Sequence, residues 1–190
     1  MANICINYIY INSDDKENMQ KLYDFLERNN DNRGTLSGFC EAAGLDKENY
    51  YLRANVCDLE YNEADDQMYV QVESAWSPAL KLIRDIAEKF VPDCDVIYSS
   101  EECGNGIYYT NDPIYFGKYY IDVWNEDVLP IKIESLFDAE PSNVADYLQK
   151  LLKTDVSDID TLLTMLCKSD FDDGISINAW CEKSIDEAED

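Results

Sequence analysis

The segment Met68-Tyr-Val-Gln-Val-Glu-Ser-Ala-Trp-Ser-Pro-Ala-Leu-Lys-Leu-Ile-Arg-Asp-Ile-Ala-Glu-Lys-Phe90 decides the fold, because it predicts a strand followed directly by a helix. In its first part, Val70 and Val72 alternate with Tyr69 and Gln71, which is the pattern of a strand with one apolar face. Its second part carries apolar residues at helical spacing. We expect the rest of a sheet to form around this strand and helix.

The start of the predicted helix lies at Ser77-Pro78. Ser77 is a favourable N-cap, and Pro78 suits the first helical position, where a missing N–H has no consequence. Pro92 is expected to end the helix. Trp76 precedes it, and we predict that the ring packs under the helix start. Truncation to Ala would then destabilise the domain by about 3–5 kcal/mol.

The order of the remaining elements indicates an α+β protein with a ferredoxin-like βαββαβ sheet, an added hairpin and a C-terminal helical appendage. Both faces of the run from Ile4 to Ile11 are apolar, which predicts a central strand. The other predicted elements are a helix with a stripe at Met19, Leu22, Tyr23 and Leu26, a short helix at 36–43, strands at 52–61 and 95–99, and a hairpin made of 107–110 and 115–123.

Pro130 marks a change in the chain. We predict a ferredoxin-like domain over residues 1–123 and an acidic, mostly helical appendage over residues 124–190. Within the appendage, a short strand is expected at 131–133, one helix from Ser142 and another from Asp155 or Ser157, and a strand or extended arm at 175–180. The acidic tail from Glu182 onward is expected to fray.

The charge of the chain is unusual. Asp and Glu number 40 against 15 Lys and Arg, so the formal net charge is −25 and the isoelectric point is near 4.1. No basic cluster is present that would hold a nucleic acid or an anionic membrane. The expected partner is therefore a basic protein surface rather than nucleic acid or lipid.

The chain has no histidine, which removes Ser-His-Asp and Cys-His catalysis and His-based metal sites. Its seven cysteines form no C-x-x-C motif and are expected to be reduced and mostly buried. We predict no enzyme activity, no metal and no cofactor. The unpatterned cysteines and the lack of an apolar leader or a run of about 20 apolar residues favour a cytoplasmic protein.

Three short motifs resemble one known family. The opening Met1-Ala2-Asn3 with Cys5 and Asn7 resembles that of the YubB-type ferredoxin-like domains, which are carried by plasmids and phages. Trp76-Ser77-Pro78 is similar to the family's Trp-x-Pro, and the turn at 102–106 to its acidic-glycine turn. Ile4 stands where the family has a second aromatic residue. The resemblance covers about residues 1–123, and it implies a ferredoxin-like fold and a mobile-element origin, without catalytic residues.

Acidic clusters are the candidate binding residues. A calcium loop at 169–174 fails because Trp180 stands where a bidentate Glu is required. The tyrosine-rich strands could stack bases, but the accompanying Lys and Arg are almost absent, so sheet packing is the better interpretation. The residues predicted to bind a partner are Glu60, Glu63, Asp65, Asp66, Glu101, Glu102, Asp170, Asp172 and Asp173.

These observations favour a non-enzymatic acidic binding protein from a mobile element. It would inhibit a basic nucleic-acid-binding host defence protein, in the manner of antirestriction or anti-CRISPR proteins that act as DNA mimics. An accessory interaction module whose acidity only provides solubility remains an alternative. A small hydrolase or metal-dependent enzyme is a third hypothesis, disfavoured by the missing histidines.

Overall fold

The computed structural model describes residues 3–30 and 34–189. Met1 and Ala2, which open the family motif, lie outside the described residues. Contacts divide the described chain into two compact units. The first contains the residues up to Asp112 together with those from Glu182 onward, and the second is Pro113–Cys181. The predicted domain boundary between residues 123 and 124 falls inside the second unit.

The first unit has the βαββαβ order of a ferredoxin-like fold, which confirms the predicted fold class. The elements of the whole described chain are β1 (Ile4–Asn12), α1 (Lys16–Asn30), α2 (Leu36–Ala43), β2 (Ala54–Asn62), β3 (Gln67–Ala75), α3 (Lys81–Phe90), β4 (Asp95–Glu102), β5 (Ile107–Thr110), β6 (Tyr119–Val123), β7 (Leu136–Ala139), α4 (Pro141–Leu152), α5 (Ile159–Leu166), β8 (Ile175–Ala179), β9 (Cys181–Glu182) and α6 (Ile185–Glu189). The six-stranded sheet has the order β2-β3-β1-β4-β5-β9.

Helices α1, α2 and α3 supply the core that covers one face of this sheet. Residues alternate along β1 and β3, so that every second side chain is buried and its neighbours are only partly covered. Ile9 and Val70 of the buried set pack with Leu22 of α1 and Ile83 of α3. The opposite face, called here the outer face, carries Asp58 and Glu60 of β2, Tyr69 and Gln71 of β3, and Tyr8 and Tyr10 of β1.

Helix α3 begins at Lys81, so the predicted start at Ser77-Pro78 is wrong. The reason is that β3 continues to Ala75, paired with Ile4 of β1, and residues 76–80 are needed to reach the helix layer. The predicted place of Trp76 in the core is also wrong. Its side chain is 41% exposed, whereas Leu80 is 1% exposed and occupies the core position.

Trp76 stands in a left-handed backbone conformation, with φ of 76°. Its N–H donates to the carbonyl of Asn3 at 3.0 Å, and the amide of Asn105 donates to its carbonyl at 3.3 Å. A bulky residue at positive φ is rare and strained. These two contacts hold the bend that turns the chain from β3 toward α3.

The tail folds into α6 (Ile185–Glu189), so the expectation of a frayed tail is wrong for the described residues 182–189. Ile185 and Ala188 of α6 are buried and join the core of the first unit. The carboxylate of Glu189 accepts hydrogen bonds from the backbone N–H groups of Leu80 and Lys81 at the start of α3. Leu80 itself offers no side-chain cap, and the acid from α6 therefore satisfies donors that would otherwise be orphaned.

The predicted hairpin between residues 107–110 and 115–123 is wrong in its pairing. Strand β5 pairs with β4, whereas β6 pairs with β7 and β8 in a separate three-stranded sheet. The second unit therefore combines a three-stranded sheet with the helices α4 and α5. Its core joins Ile121 and Ile177 of this sheet to Val144 and Leu148 of α4 and Leu162 of α5. The expected strand at 131–133 is absent, and β7 begins three residues later.

None of the helices in the described part of the chain combines the length and apolar character that crossing a membrane requires.

Candidate partner-binding surface

The first predicted cluster, called here the acidic tip, lies at the end of β2 and in the turn that follows it: Glu60 is on β2, and Glu63, Asp65 and Asp66 are in the turn. Strand register runs up to Asn62 opposite Gln67, so residues 63–66 form the turn itself. The side chain of Asn62 accepts from the N–H of Ala64 at 3.1 Å, as an Asx turn does. Glu60, Glu63 and Asp65 are exposed, and Asp66 is half-buried.

One cation partly neutralises the acidic tip. Lys16, at the start of α1, pairs with Asp66 at 2.8 Å and donates to the carbonyl of Glu63 at 3.1 Å. The hydrogen bond and the charge of Asp66 raise the pKa of Lys16. Four carboxylates and one ammonium leave the tip with three formal negative charges. The tip is therefore both anchored to α1 and still anionic.

The negative surface continues from the tip along β2. A β-bulge lies between Val56 and Asp58, and it shifts the alternation so that Asp58 and Glu60 both lie on the outer face. Asp58 stands opposite Gln71 and Glu60 opposite Tyr69. Strands β1 to β5 contain no Lys or Arg at all. No cation from these strands therefore offsets the carboxylates of the outer face.

A shallow depression on the outer face is lined by Tyr10, Glu60, Asn62, Gln67 and Tyr69. Tyr10 and Tyr69 are directly opposite each other on β1 and β3, with ring centroids 5.3 Å apart and ring planes tilted by 40°.

Carboxylates influence the ionisation of this tyrosine pair. Partial burial, and then the neighbouring Tyr10, Asp58 and Glu60, raise the pKa of Tyr69 to about 12. Burial is the largest cause of this shift, and the two carboxylates add to it because a nearby negative charge disfavours ionisation of the phenol.

Glu101 and Glu102 are not surface groups, so the predicted acidic surface is wrong at these two positions. Glu101 is 8% and Glu102 is 4% exposed. The carboxylate of Glu102 accepts from the N–H groups of Gly104 at 2.8 Å and Asn105 at 2.6 Å. The hydroxyl of Tyr8 donates to Glu101 at 3.2 Å. Glu102 thus holds the β4–β5 turn, since backbone donors near a tight reversal need an acceptor.

The third cluster lies in the second unit. Asp170 and Asp173 are exposed at the ends of a 3₁₀ turn over Asp170–Asp173 that Ser169 caps. The side chain of Asp172 lies outside the described residues. The indole N–H of Trp124, whose side chain is 54% exposed, donates to the carbonyl of Asp173 at 2.9 Å. The turn is therefore closed by hydrogen bonds of the chain itself.

Among the described residues, no group of three or more Cys, Asp or Glu side chains is arranged to hold a metal ion. The cysteines differ from expectation. Cys5 and Cys40 are buried, but Cys57, Cys103, Cys167 and Cys181 are exposed, and the prediction of mostly buried thiols is wrong. Cys57 lies at an exposed position of β2 and Cys103 in the exposed β4–β5 turn, whereas Cys40, which lies on the apolar helix α2, is buried as expected.

Sequence reasoning did not include Asp58, Tyr10 and Tyr69 among the functional candidates. A signal was present in the sequence: apolar residues occupy even positions up to Val56 and odd positions from Leu59. That change of phase marks the bulge. The cross-strand register then decides which carboxylate stands beside which ring, and it cannot be read from one strand alone.

Residues 58–115 match the family model described as the ferredoxin-like domain in Api92-like protein. The matched region begins at the bulge of β2 and runs through β3, α3, β4 and β5. Comparisons with curated proteins and with solved structures found no match. The acidic tip and the parts of the outer face on β2 and β3 therefore lie in a region that is similar to the ferredoxin-like domain of Api92-like proteins, whereas β1 lies outside the matched residues.

Proposed function

We propose that this protein is a non-enzymatic acidic binding protein that occupies the basic nucleic-acid-binding surface of another protein. The observation that carries the proposal is the acidic tip and its continuation along β2, on a sheet whose strands β1 to β5 contain no Lys or Arg. A surface of this sign steers a basic partner toward it and repels nucleic acid.

The charge density of this surface indicates how such a protein would compete with DNA. Residues two apart on a strand are about 6.6 Å apart, whereas each DNA strand carries one charge per about 3.4 Å of axis. The carboxylates of Asp58 and Glu60 therefore reach about half the linear density of one DNA strand. At this lower charge density, one carboxylate cannot replace each phosphate. The protein would instead compete with DNA through the combined electrostatic field of the acidic tip and the sheet.

The proposal includes a mobile-element origin of the YubB type and a host defence protein as the partner. It rests on the resemblance of Asn3, Cys5 and Asn7 and of Trp76-Ser77-Pro78 to that family, and on the net charge of −25. An inhibitor of a restriction or CRISPR nuclease needs no chemistry of its own, because blocking the groove is sufficient.

The experiment is affinity capture from a host lysate, followed by a competition assay on the captured protein. The partner is mixed with labelled duplex DNA, and fluorescence anisotropy follows the displacement of DNA by this protein. We expect competitive displacement that weakens steeply with salt, because the screening length falls from about 10 Å at 0.1 M to 3 Å at 1 M.

A charge-matched control separates the tip from the net charge. The test variant carries Glu60→Gln, Glu63→Gln and Asp65→Asn, and the control carries Glu48→Gln, Glu88→Gln and Asp93→Asn, all at exposed positions. Displacement should weaken in the test variant alone. A partner that binds its nucleic acid and this protein together, with unchanged affinities, would refute the proposal and favour an accessory module.

A further inference from the structure

The depression on the outer face places a carboxylate and two aromatic rings in one row across three strands. Glu60 of β2 stands opposite Tyr69 of β3, and Tyr69 stands opposite Tyr10 of β1. Tyr10 and Tyr69 are half-buried, so part of each ring faces solvent, and Glu60 is exposed. The row is open to a side chain that approaches the sheet from outside.

The polar groups that line the depression are arranged as acceptors. The amide nitrogen of Gln67 donates to Asn12 at 2.9 Å, and the amide nitrogen of Asn62 donates to Asp65. Glu60 makes no hydrogen bond or ion pair within the part of the chain that the structure describes. A ligand that enters the depression therefore contacts the π faces of two rings and a carboxylate that is not paired with a cation. Both kinds of group attract positive charge.

We propose that this depression receives an arginine side chain of the basic partner, with the guanidinium lying over Tyr10 and Tyr69 and bonded to Glu60. The inference rests on the proposed function and identifies its contact. A guanidinium is planar, stacks on aromatic rings and binds a carboxylate through two parallel N–H groups. An ammonium is compact and strongly hydrated, and it uses the rings less well.

Other occupants fit the depression less well. An anion would meet Glu60 without any compensating cation from strands β1 to β5. A nucleobase could stack on the rings, but its phosphates would lie beside Asp58 and Glu60. An apolar side chain would remove water from Glu60 without replacing its hydrogen bonds. Charge complementarity therefore selects a cation, and the ring pair selects arginine over lysine.

The test uses fluorescein-labelled nona-arginine and nona-lysine peptides as probes, with binding to the full chain measured by fluorescence anisotropy. We expect Glu60→Gln to weaken nona-arginine binding by about two- to fivefold, the range of one exposed charged contact, and nona-lysine binding less. Glu88→Gln, an exposed acid on α3, is the matched control and should change both peptides equally.

The ring contribution is tested at Tyr69. Tyr69→Leu should reduce the preference for arginine over lysine, and Tyr69→Phe should retain it, because the phenyl ring keeps the π face. In addition, titration with Nα-acetyl-arginine amide should shift the ring NMR signals of Tyr10 and Tyr69.

Two outcomes would overturn the inference in distinguishable ways. Equal losses for Glu60→Gln and Glu88→Gln, with an unchanged arginine preference in Tyr69→Leu, would refute the arginine site and leave the proposed function standing. Failure of both peptides to bind even at low salt would refute the arginine site and contradict the proposed function as well.

Discussion

Removing the side chain of Glu189 tests whether the C-terminal helix α6 caps α3. One carboxylate oxygen of Glu189 accepts from the N–H groups of both Leu80 and Lys81, and Leu80 supplies no side-chain cap of its own. Loss of an N-cap destabilises by about 0.5–2 kcal/mol, and the interaction of a carboxylate with the helix dipole adds about 0.3–1 kcal/mol. Burial of the carboxylate offsets part of this gain.

We therefore expect Glu189→Ala to lower the free energy of unfolding by about 1–2 kcal/mol. Urea unfolding monitored by circular dichroism measures it, and with a slope of about 2 kcal/mol/M the midpoint should fall by about 0.5–1 M. Glu88→Ala, an exposed acid on α3, is the control. Equal midpoints for the two variants would refute the capping role of Glu189.

The same group predicts a pH dependence. Burial raises the pKa of Glu189, against the smaller opposing effects of its hydrogen bonds to Lys81 and Leu80. The folded state then holds this proton more tightly than the unfolded state, whose pKa is about 4.3. The contribution of this proton to the free energy of unfolding is fully present below the pKa of the unfolded state. It is lost as the pH rises through the higher pKa of the folded state. Wild type should therefore lose stability relative to Glu189→Gln across that window.

Three further predictions follow from buried or strained groups, and one concerns metals. Asn7→Ala should destabilise by about 2–4 kcal/mol in urea unfolding, because the buried Asn7 amide donates to the Val72 carbonyl at 2.9 Å and accepts from the Ser100 hydroxyl at 2.8 Å; a loss below about 0.5 kcal/mol would contradict this. Trp76→Ala should lower the free energy of unfolding by less than about 1 kcal/mol, because the ring is exposed. Trp76→Gly should leave stability unchanged or raise it, because glycine adopts a positive φ without strain. A fall in melting temperature as large as that caused by truncating a buried aromatic residue would contradict both expectations. The pKa of Tyr69 is raised to about 12 from an ordinary value near 10, so the free energy of unfolding should fall as the pH rises through that window. Tyr69→Phe should show a smaller fall. The same loss of stability at high pH in Tyr69→Phe and wild type would contradict this prediction. Calorimetry with calcium, magnesium and zinc should show no stoichiometric site tighter than about 10⁻⁴ M, and a saturable one-to-one micromolar isotherm would overturn this.

The ferredoxin-like class was predictable from the sequence because it depends on local periodicity. Alternation along Ile4–Asn12 and Gln67–Ala75 and the helical spacing of the α1 and α3 stripes specify which side of each element is buried. Burial of these sides requires the helices to cover one face of an antiparallel sheet. The anionic character of the remaining face was also readable, since the strand sequences contain no Lys or Arg.

Contacts between residues distant in the chain decided the rest. Local signals start a helix at Ser77-Pro78, but pairing of β3 with β1 through Ala75 delays α3 to Lys81 and leaves Trp76 exposed. Glu101 and Glu102 are acidic neighbours in sequence, yet pairing of β4 with β5 places both at buried positions at the end of β4. The row Glu60–Tyr69–Tyr10 arises only from the register of three strands. Hydrophobic periodicity indicates which face of an element is buried, whereas register and caps depend on hydrogen bonds to partners dozens of residues away.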